Sequence, residues 1–250
     1  MKRLLFICTT PRTGSSMLRG DIRSTKAMGD PREWFNMSRG RRYHQSKKDW
    51  GVPGGDLDAY ISAVKEHTST KNGVVGVKLF ELHLSQLVRR GMLPSGPGRL
   101  RALAEAFGTP DPVVITLTRN NKLRQAISFT RAKQTGKWGT QGEAKTKDKY
   151  DRKAVEADLM ELIERENRWD RELEESGYVP NLSLIYEVLL HEREETLLQL
   201  AIDLELPDPA GIVASRDVEE NRLERQADQR TEAWINKFIR WKHRTRQPHE

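Results

Sequence analysis

A chain of 250 residues is long enough to bury a substantial core and short enough to form one domain, so we expect a single domain over residues 1–250. Its formal net charge of +7 and pI of about 9.5 favour an anionic partner: a nucleotide, a nucleic acid or an anionic membrane. One cysteine, Cys8, excludes an internal disulfide and suits a reducing compartment. The apolar run within residues 1–8 is too short for a signal peptide, and no stretch is long enough to span a membrane. We therefore expect a cytoplasmic protein without a transmembrane segment.

The first predicted elements are an apolar strand over 4–8, a short polar loop and a helix that begins near Ser15. A helix N-terminus attracts anions because its first N–H groups lack intrahelical partners and its dipole favours negative charge. Gly14 allows close approach of the backbone because it tolerates positive φ, and Arg12 adds a planar cationic donor. The candidates for anion binding are Arg12, Thr13, Gly14, Ser15 and Ser16.

This loop differs from a Walker A phosphate-binding loop. No lysine follows Gly14, and the basic residue instead comes two positions before the glycine. A junction of this kind also occurs as a structural turn without a ligand, so the loop alone leaves both interpretations open.

The chain then continues with a turn at 29–31, which is followed by the carboxylate of Glu33 and the aromatic Trp34. Residues 36–55 are polar, basic and glycine-rich, and this composition predicts an exposed, mobile loop. A helix is predicted over 56–68 and a second strand over 74–80. The continuous apolar run of that strand is typical of a parallel sheet that is covered on both faces.

The remaining predicted elements alternate between helix and strand. They are a helix that ends at Gly91, a helix over 99–107, a strand over 112–117, a helix over 121–135, a loop over 137–149, a helix over 152–176, a strand over 182–186, and helices over 190–204 and 230–243. This order predicts an α/β fold with a mostly parallel central sheet flanked by helices. Ligands of such sheets bind beyond the carboxyl ends of the strands. The polar residues there are Arg12, Lys78, Arg119 and Tyr186.

Arg119 and Ser128 form a second candidate anion site. Arg119 follows the third strand and Ser128 lies on the next helix, so the guanidinium and the hydroxyl can hold one phosphate together. As an isolated spacing the pair is also compatible with two solvated surface side chains.

Five stretches in this order resemble the bacterial trehalose 2-sulfotransferase family. They are 10–16 (TPRTGSS), 29–35 (GDPREWF), 73–79 (GVVGVKL), Arg119 with 125–138 (QAISFTRAKQTGKW), and 223–230 (LERQADQR). The similarity covers nearly the whole chain. It implies a sulfotransferase fold related to the P-loop-containing nucleotide hydrolases, and the sulfate donor 3′-phosphoadenosine 5′-phosphosulfate (PAPS) without a metal.

The resemblance also implies roles for residues. The loop from Arg12 to Ser16 matches the part that holds the 5′-phosphosulfate, and Arg119 and Ser128 match the pair that holds the 3′-phosphate. Glu33 matches the general base. Arg225 and Gln226 belong to a motif characteristic of the family, in a segment over 222–243 that we expect to close over the nucleotide. Tyr186 is a looser match, to an aromatic residue near adenine.

The expected reaction is in-line transfer of a sulfuryl group to a hydroxyl of a carbohydrate or glycolipid. Arg12 would neutralise the leaving oxygen and Lys78 the sulfonate oxygens, while Glu33 takes the proton. The alternatives are that Glu33 only stabilises a helix N-terminus and that Lys78 only extends from a strand end. The candidate acceptor contacts are Glu33, Trp34, Glu81 and His83, and Glu81 or His83 is the substitute base.

The acceptor itself stays open, because 36–55 and 80–83 depart from the family pattern. The resemblance implies a homodimer, and we expect no nucleic-acid partner. Two other classes remain as alternatives: a P-loop-like nucleotide kinase, which would need the missing lysine, and a non-catalytic nucleic-acid-binding protein, for which the basic clusters 39–42 and 47–48 argue.

Overall fold

The centre of the fold is a four-stranded parallel sheet. The computed structural model describes residues 3–38, 40–138, 143–217 and 229–244. The strands are β1 (Arg3–Thr9), β2 (Val74–Leu79), β3 (Val113–Thr118) and β4 (Leu182–Ile185), in the spatial order β2-β1-β3-β4. All three pairings are parallel. The predicted α/β class and parallel sheet are therefore confirmed.

Eleven helices occur in the part of the chain that the structure describes. They are α1 (Ser15–Ser24), α2 (Arg42–Asp49), α3 (Leu57–Thr68), α4 (Glu81–Arg89), α5 (Arg99–Ala106), α6 (Lys122–Thr135), α7 (Arg152–Ser176), α8 (Tyr186–Leu189), α9 (Arg193–Asp203), α10 (Pro209–Ala214) and α11 (Gln229–Arg244).

Alternating side chains of β1 build the cores on the two faces of the sheet. Leu4 and Phe6 pack with residues of α2, α3, α4, α5 and α7, whereas Leu5 and Ile7 pack with residues of α1, α9 and α10. This is the two-residue period of a strand that is buried on both sides. A third cluster joins α6, α7 and α11 through residues such as Trp234 and Phe238. Helices thus pack on both faces of the sheet and cover it from solvent.

The prediction of a loop over 36–55 is wrong for the residues of α2. Tyr43 on this helix is buried, and its ring centroid lies 4.6 Å from that of Tyr60 on α3. Met37 is buried in the same core. One buried aromatic residue, Tyr43, gives too weak a periodic signal to predict a helix in such a basic sequence. Its packing is nevertheless sufficient to hold the short helix α2 against the core.

The predicted helix over 190–204 is present as α9, but it begins three residues later than predicted. It begins at Arg193, and Leu197 is buried, whereas Leu198 and Ile202, whose apolar side chains favour an inward face, are 38% and 49% exposed. Leu200 and Ala201 face the core instead. The short helices α8 and α10 were not predicted from the sequence, because four to six residues are too few to show a helical period.

Candidate active site

The loop between β1 and α1 is held by contacts from two later helices. The Trp169 indole N–H donates to the Thr9 carbonyl over 2.8 Å, and the Gln125 amide donates to the Pro11 carbonyl over 2.8 Å. The Thr13 hydroxyl lies 2.7 Å from the Thr9 hydroxyl. Gln125 and Trp169 were not predicted as site residues, since a buried amide and a core indole give no sequence signal that they support a loop.

Gly14 at the end of this loop has a φ of 89°, as the prediction of positive φ requires. A β-carbon at this position would overlap the ring of Tyr186, so the missing side chain makes room for Tyr186. Of the two serines that follow, Ser15 is buried and Ser16 is exposed. The loop therefore presents its backbone at the start of α1 with one hydroxyl on the surface.

Arg12, Ser128 and Arg119 meet at the carboxyl ends of β1 and β3. The Arg12 Nε donates to the Ser128 hydroxyl over 2.9 Å, and the Arg119 Nη1 donates to the Arg12 carbonyl over 3.2 Å. The Arg119 guanidinium carbon lies 4.6 Å from the centroid of the Tyr186 ring. Four residues from separate parts of the sequence thus form one group, which we call the cationic cradle.

The electrostatics of the cationic cradle favour a bound anion. Burial lowers the pKa of Arg12, and the charges of Arg119 and Arg131 lower it further. Within the part of the chain that the structure describes, the buried Arg119 Nε has no hydrogen-bond partner, although its ion pair with Glu187 spans 3.8 Å. An anion between these guanidinium groups would relieve their repulsion and satisfy the open donor. The residues present therefore fit a phosphate or sulfate group.

Glu33 and Lys78 form an ion pair at the neighbouring strand end. The Lys78 Nζ lies 3.0 Å from Glu33 Oε1, and the Asn36 amide donates to Glu33 Oε2 over 2.8 Å. Burial alone would raise the pKa of Glu33, but Lys78, His83 and Asn36 together lower it to about 2. The carboxylate is ionised at neutral pH and 28% exposed, so it is charged and accessible.

The chain between α1 and α2 brings Glu33 to this position by running beside β2. Lys78 donates its backbone N–H to the Arg32 carbonyl over 2.9 Å, which makes a single parallel bridge between Arg32 and Val77. The approach requires two glycines. A β-carbon at Gly29 would lie 2.6 Å from the Gly76 nitrogen, and one at Gly76 would lie 3.0 Å from the Pro31 nitrogen. The glycines of two predicted motifs therefore pack against each other.

Two of the predicted acceptor contacts are buried side chains with structural partners. Trp34 is 5% exposed, and its indole donates to the Gly76 carbonyl over 3.1 Å. Glu81 is buried and pairs with Arg99 at 3.3 Å and Arg168 at 3.2 Å. The expectation that Trp34 and Glu81 face an acceptor is corrected, because neither side chain offers a free polar surface.

His83 is also buried, at 1% exposure, and lies close to the Glu33 pair. The Phe80 N–H donates to His83 Nδ1 over 3.2 Å, an N-terminal cap of α4 that leaves the proton of the neutral ring on Nε2. Burial lowers the pKa of His83 to about 4, although the Glu33 charge opposes the change. A ring this enclosed has almost no surface for contact with an acceptor, so its burial argues against the expected acceptor contact of His83.

The predicted motif residues Arg225 and Gln226 lie outside the described residues. The start of α11, which follows them, is attached to α6. Arg131 donates to the Thr231 hydroxyl over 2.6 Å, and Arg124 pairs with Glu232 at 2.6 Å. The C-terminal helix thus begins beside the helix that carries Ser128.

A contact between two loops lies near the cationic cradle. The Trp138 carbonyl accepts a hydrogen bond of 2.5 Å from the Arg12 Nη1. The Arg41 guanidinium carbon, at the start of α2, lies 5.6 Å from the centroid of the Trp138 ring. The beginning of α2 therefore extends towards the loop that contacts Arg12.

The described residues include neither a metal-binding cluster nor a membrane-spanning helix. No group of three His, Cys, Asp or Glu side chains there is arranged to hold a metal ion. Among the helices of the same ranges, none combines the length and the apolar character that a membrane crossing requires.

Comparison with known proteins assigns the family. A sequence model of the Stf0 sulphotransferase family matches residues 5–241. The trehalose 2-sulfotransferase of Mycobacterium tuberculosis (strain ATCC 35801 / TMC 107 / Erdman) is 28% identical, with 94% of each chain covered. That of Mycolicibacterium smegmatis is also 28% identical over 94% of this chain and 93% of its own.

A crystal structure of sulfotransferase STF1 from Mycobacterium tuberculosis H37Rv is similar at a TM-score of 0.38 and 16% identity, over 95% of this chain and 76% of that chain. A likeness this weak adds nothing to the assignment. The match of the family model over nearly the whole sequence confirms the resemblance of the five stretches, and the chain belongs to the Stf0 sulphotransferase family.

Proposed function

We propose that this chain is a PAPS-dependent sulfotransferase that acts on a hydroxyl of a carbohydrate or glycolipid, with Glu33 as the general base. One observation supports this most strongly: the cationic cradle and the Glu33–Lys78 pair lie at the carboxyl ends of adjacent parallel strands. The mycobacterial relatives are trehalose 2-sulfotransferases, so a sugar hydroxyl is the natural acceptor class.

The cationic cradle would hold the phosphates of the donor. Arg119 and Ser128 would bind the 3′-phosphate, while Arg12 and the backbone at Gly14–Ser16 would bind the 5′-phosphosulfate. Tyr186 packs against both Gly14 and Arg119, so it would fix the position of the 5′-phosphosulfate loop relative to the 3′-phosphate contacts. When bound, the donor supplies a sulfuryl group activated by its anhydride link to the 5′-phosphate.

Glu33 would accept the proton of the acceptor hydroxyl. As the acceptor oxygen forms its bond to sulfur, the bond between sulfur and the bridging oxygen breaks, and the electron pair leaves with the 5′-phosphate oxygen. Arg12 would stabilise the charge on that leaving oxygen, and Lys78 the charge on the sulfonate oxygens. The proton would stay on Glu33 until solvent removes it.

Lys78 would also control the strength of the base. A carboxylate whose pKa is about 2 is a weak proton acceptor while it is paired with Lys78. When the Lys78 Nζ turns to the sulfonate oxygens, the ion pair weakens and burial raises the pKa of Glu33. The base would thus gain strength when a donor is bound.

Isothermal titration with 3′,5′-ADP and with ATP and Mg²⁺ tests the proposal. We expect binding of 3′,5′-ADP and little binding of ATP, because Arg119 and Ser128 would bind a 3′-phosphate and the loop lacks the Walker lysine. Arg119→Gln should lose 3′,5′-ADP affinity, whereas Arg89→Gln, an exposed arginine at the end of α4, should keep it. Preferred binding of ATP with Mg²⁺ would instead support the kinase alternative.

A gel-shift assay tests the remaining alternative, a non-catalytic nucleic-acid-binding protein. Tight binding of an oligonucleotide with steep salt dependence and no turnover of PAPS would support the nucleic-acid-binding class. The homodimer, the cytoplasmic location and the absence of a metal requirement stay predictions. Light scattering tests the homodimer, and activity after chelation tests the absence of a metal requirement.

A further inference from the structure

The turn that carries Glu33 places a second polar side chain beside it. The Glu33 carbonyl accepts a hydrogen bond of 3.0 Å from the Asn36 N–H, which closes a four-residue turn. The two central residues, Trp34 and Phe35, are buried, so the middle of the turn is anchored in the core. The side chains of Glu33 and Asn36, at its two ends, are partly exposed. The turn therefore presents a carboxylate and an amide in direct contact.

The amide of Asn36 has a fixed orientation. Its Oδ1 accepts the Ser38 N–H over 3.2 Å, so its Nδ2 faces Glu33 and donates to Oε2 over 2.8 Å. An amide carries an acceptor and a donor in one plane, which this pair of contacts requires. The Asn36 carbonyl also accepts the Tyr43 N–H over 3.3 Å, a donor of the first turn of α2 that has no partner within its helix. Asn36 is thus held through its backbone and its side chain.

The two oxygens of Glu33 have different partners. Oε1 lies 3.0 Å from the Lys78 Nζ, and Oε2 accepts from Asn36. In the proposed reaction Lys78 turns to the sulfonate oxygens, so Oε1 loses its cation. The contact with Asn36 has no second task in that reaction and persists. A Glu side chain has many rotamers, and without this contact the carboxylate would be free to follow the lysine.

We infer that Asn36 is a positioning residue of this site: its amide holds Oε2 of Glu33, so that Oε1 takes the proton of the acceptor once Lys78 has turned away. This inference rests on the proposed function. Asn36 acts only through Glu33 and does not touch the reacting atoms. Holding a base in place increases the rate because proton transfer requires hydrogen-bond distance between the base and the hydroxyl.

Asn36 also affects the strength of the base. The charged or titratable groups that face Glu33 are Lys78 on β2 and His83 on α4, and both lower the pKa of the carboxyl group. The hydrogen bond from Asn36 lowers that pKa as well. Loss of the amide should therefore raise the pKa of Glu33 and move the acid limb of kcat to higher pH. A residue that only shaped the turn would change activity without moving this limb.

Two substitutions separate the contacts of the Asn36 side chain. Asn36→Asp keeps an acceptor for the Ser38 N–H but loses the donor to Glu33, whereas Asn36→Ala loses both. With labelled PAPS and trehalose, we expect kcat to fall by about 10–100-fold in both variants, as for the loss of a hydrogen bond to a charged group. The affinity for 3′,5′-ADP should stay at the wild-type value. The acid limb should move further in Asn36→Asp, because a second carboxylate opposes the ionisation of Glu33.

Gln86→Met is the matched control, since Gln86 supports the next residue of the same segment. Its Oε1 accepts the Met37 N–H over 3.0 Å. The control should keep kcat within about threefold of wild type, as for loss of an ordinary structural contact, and leave the acid limb in place. If trehalose is not an acceptor, crystal structures of the 3′,5′-ADP complexes are the readout. The Glu33 carboxylate should leave its wild-type position in both Asn36 variants and keep it in Gln86→Met.

The outcomes separate this inference from the proposed function. Failure to bind 3′,5′-ADP, or wild-type rates in Glu33→Gln, overturns both. Dependence on Glu33 together with wild-type kcat in Asn36→Asp, or with an acid limb that stays in place in both Asn36 variants, overturns the inference alone. An equal loss of kcat in Gln86→Met, or a Glu33 carboxylate that keeps its position in crystals of Asn36→Ala, also overturns it and assigns Asn36 to the folding of the segment.

Discussion

The two halves of the candidate site are built by different means. Arg12 and Arg119 follow β1 and β3 within a few residues, so the sheet itself sets their positions. Glu33 lies on a longer excursion between α1 and α2, and it reaches β2 only because Gly29 and Gly76 approach each other closely. The sheet itself therefore positions the half of the site proposed for the donor, whereas the half proposed for the acceptor depends on one segment that two glycines bring to β2.

The largest effect should come from removing the base. Glu33→Gln preserves the shape of the side chain and its contact with Asn36 but cannot accept a proton. We expect kcat to fall by about 10²–10⁴-fold, the usual contribution of a general base, with 3′,5′-ADP affinity unchanged. Glu66→Gln, an exposed position on α3, is the control. Wild-type rates in Glu33→Gln would show that the proton goes elsewhere.

The next largest effect concerns Lys78, which pairs with Glu33 and would, in the proposed reaction, stabilise the sulfonate oxygens. Lys78→Met should lower kcat by about 10²–10³-fold, since it removes one preorganised charge. It should also raise the pKa of Glu33 from about 2, because the lysine lowers that pKa while burial raises it. The acid limb of kcat/KM should therefore move to higher pH in the variant. An unchanged acid limb would argue against Glu33 as the titrating base.

Substitution in the donor half should weaken binding and spare the base. Arg119→Gln removes one guanidinium from the cationic cradle, and we expect about a 10–100-fold loss of 3′,5′-ADP affinity, as for one charge-assisted contact. The affinity for 5′-AMP, which lacks the 3′-phosphate, should change much less. Equal losses for both nucleotides would mean that Arg119 only maintains the loop through the Arg12 carbonyl.

The smallest effect is on stability in acid. The pKa of His83 is about 4 in the folded protein and about 6.5 when the chain is unfolded, so the unfolded state binds more protons between these values. Stability should therefore fall as the pH drops from 6.5 towards 4, by up to about 1.4 kcal/mol per pH unit.

Urea unfolding at pH 7.0 and 5.5 measures this loss. His83→Asn keeps an acceptor for the Phe80 N–H and removes the titrating ring, so the difference between the two midpoints should shrink. Glu33 acts in the same direction but only below about pH 4.5, where its carboxylate would protonate in the unfolded chain. A midpoint difference that is identical in both proteins would contradict the assignment to His83.

The same contrast explains what could be predicted from the sequence. The parallel sheet follows from apolar runs, and the meeting of Arg12, Arg119 and Ser128 follows from the rule that ligands bind at strand ends together with the family motifs. Trp34 and Glu81 were assigned to the acceptor from their neighbourhood in sequence, which carries no information on burial. The support of the loop by Gln125 and Trp169 depends on contacts between distant segments, and no local pattern reports those.

The contact between Gly14 and Tyr186 has a consequence for biosynthesis. The N-terminal loop shares its space with a ring that is translated only after almost three quarters of the chain. Until β4 has joined the sheet, the loop lacks that neighbour and Arg119 lacks the aromatic surface beneath it. A nascent chain on the ribosome should consequently acquire the proposed nucleotide binding only after β4 has been translated.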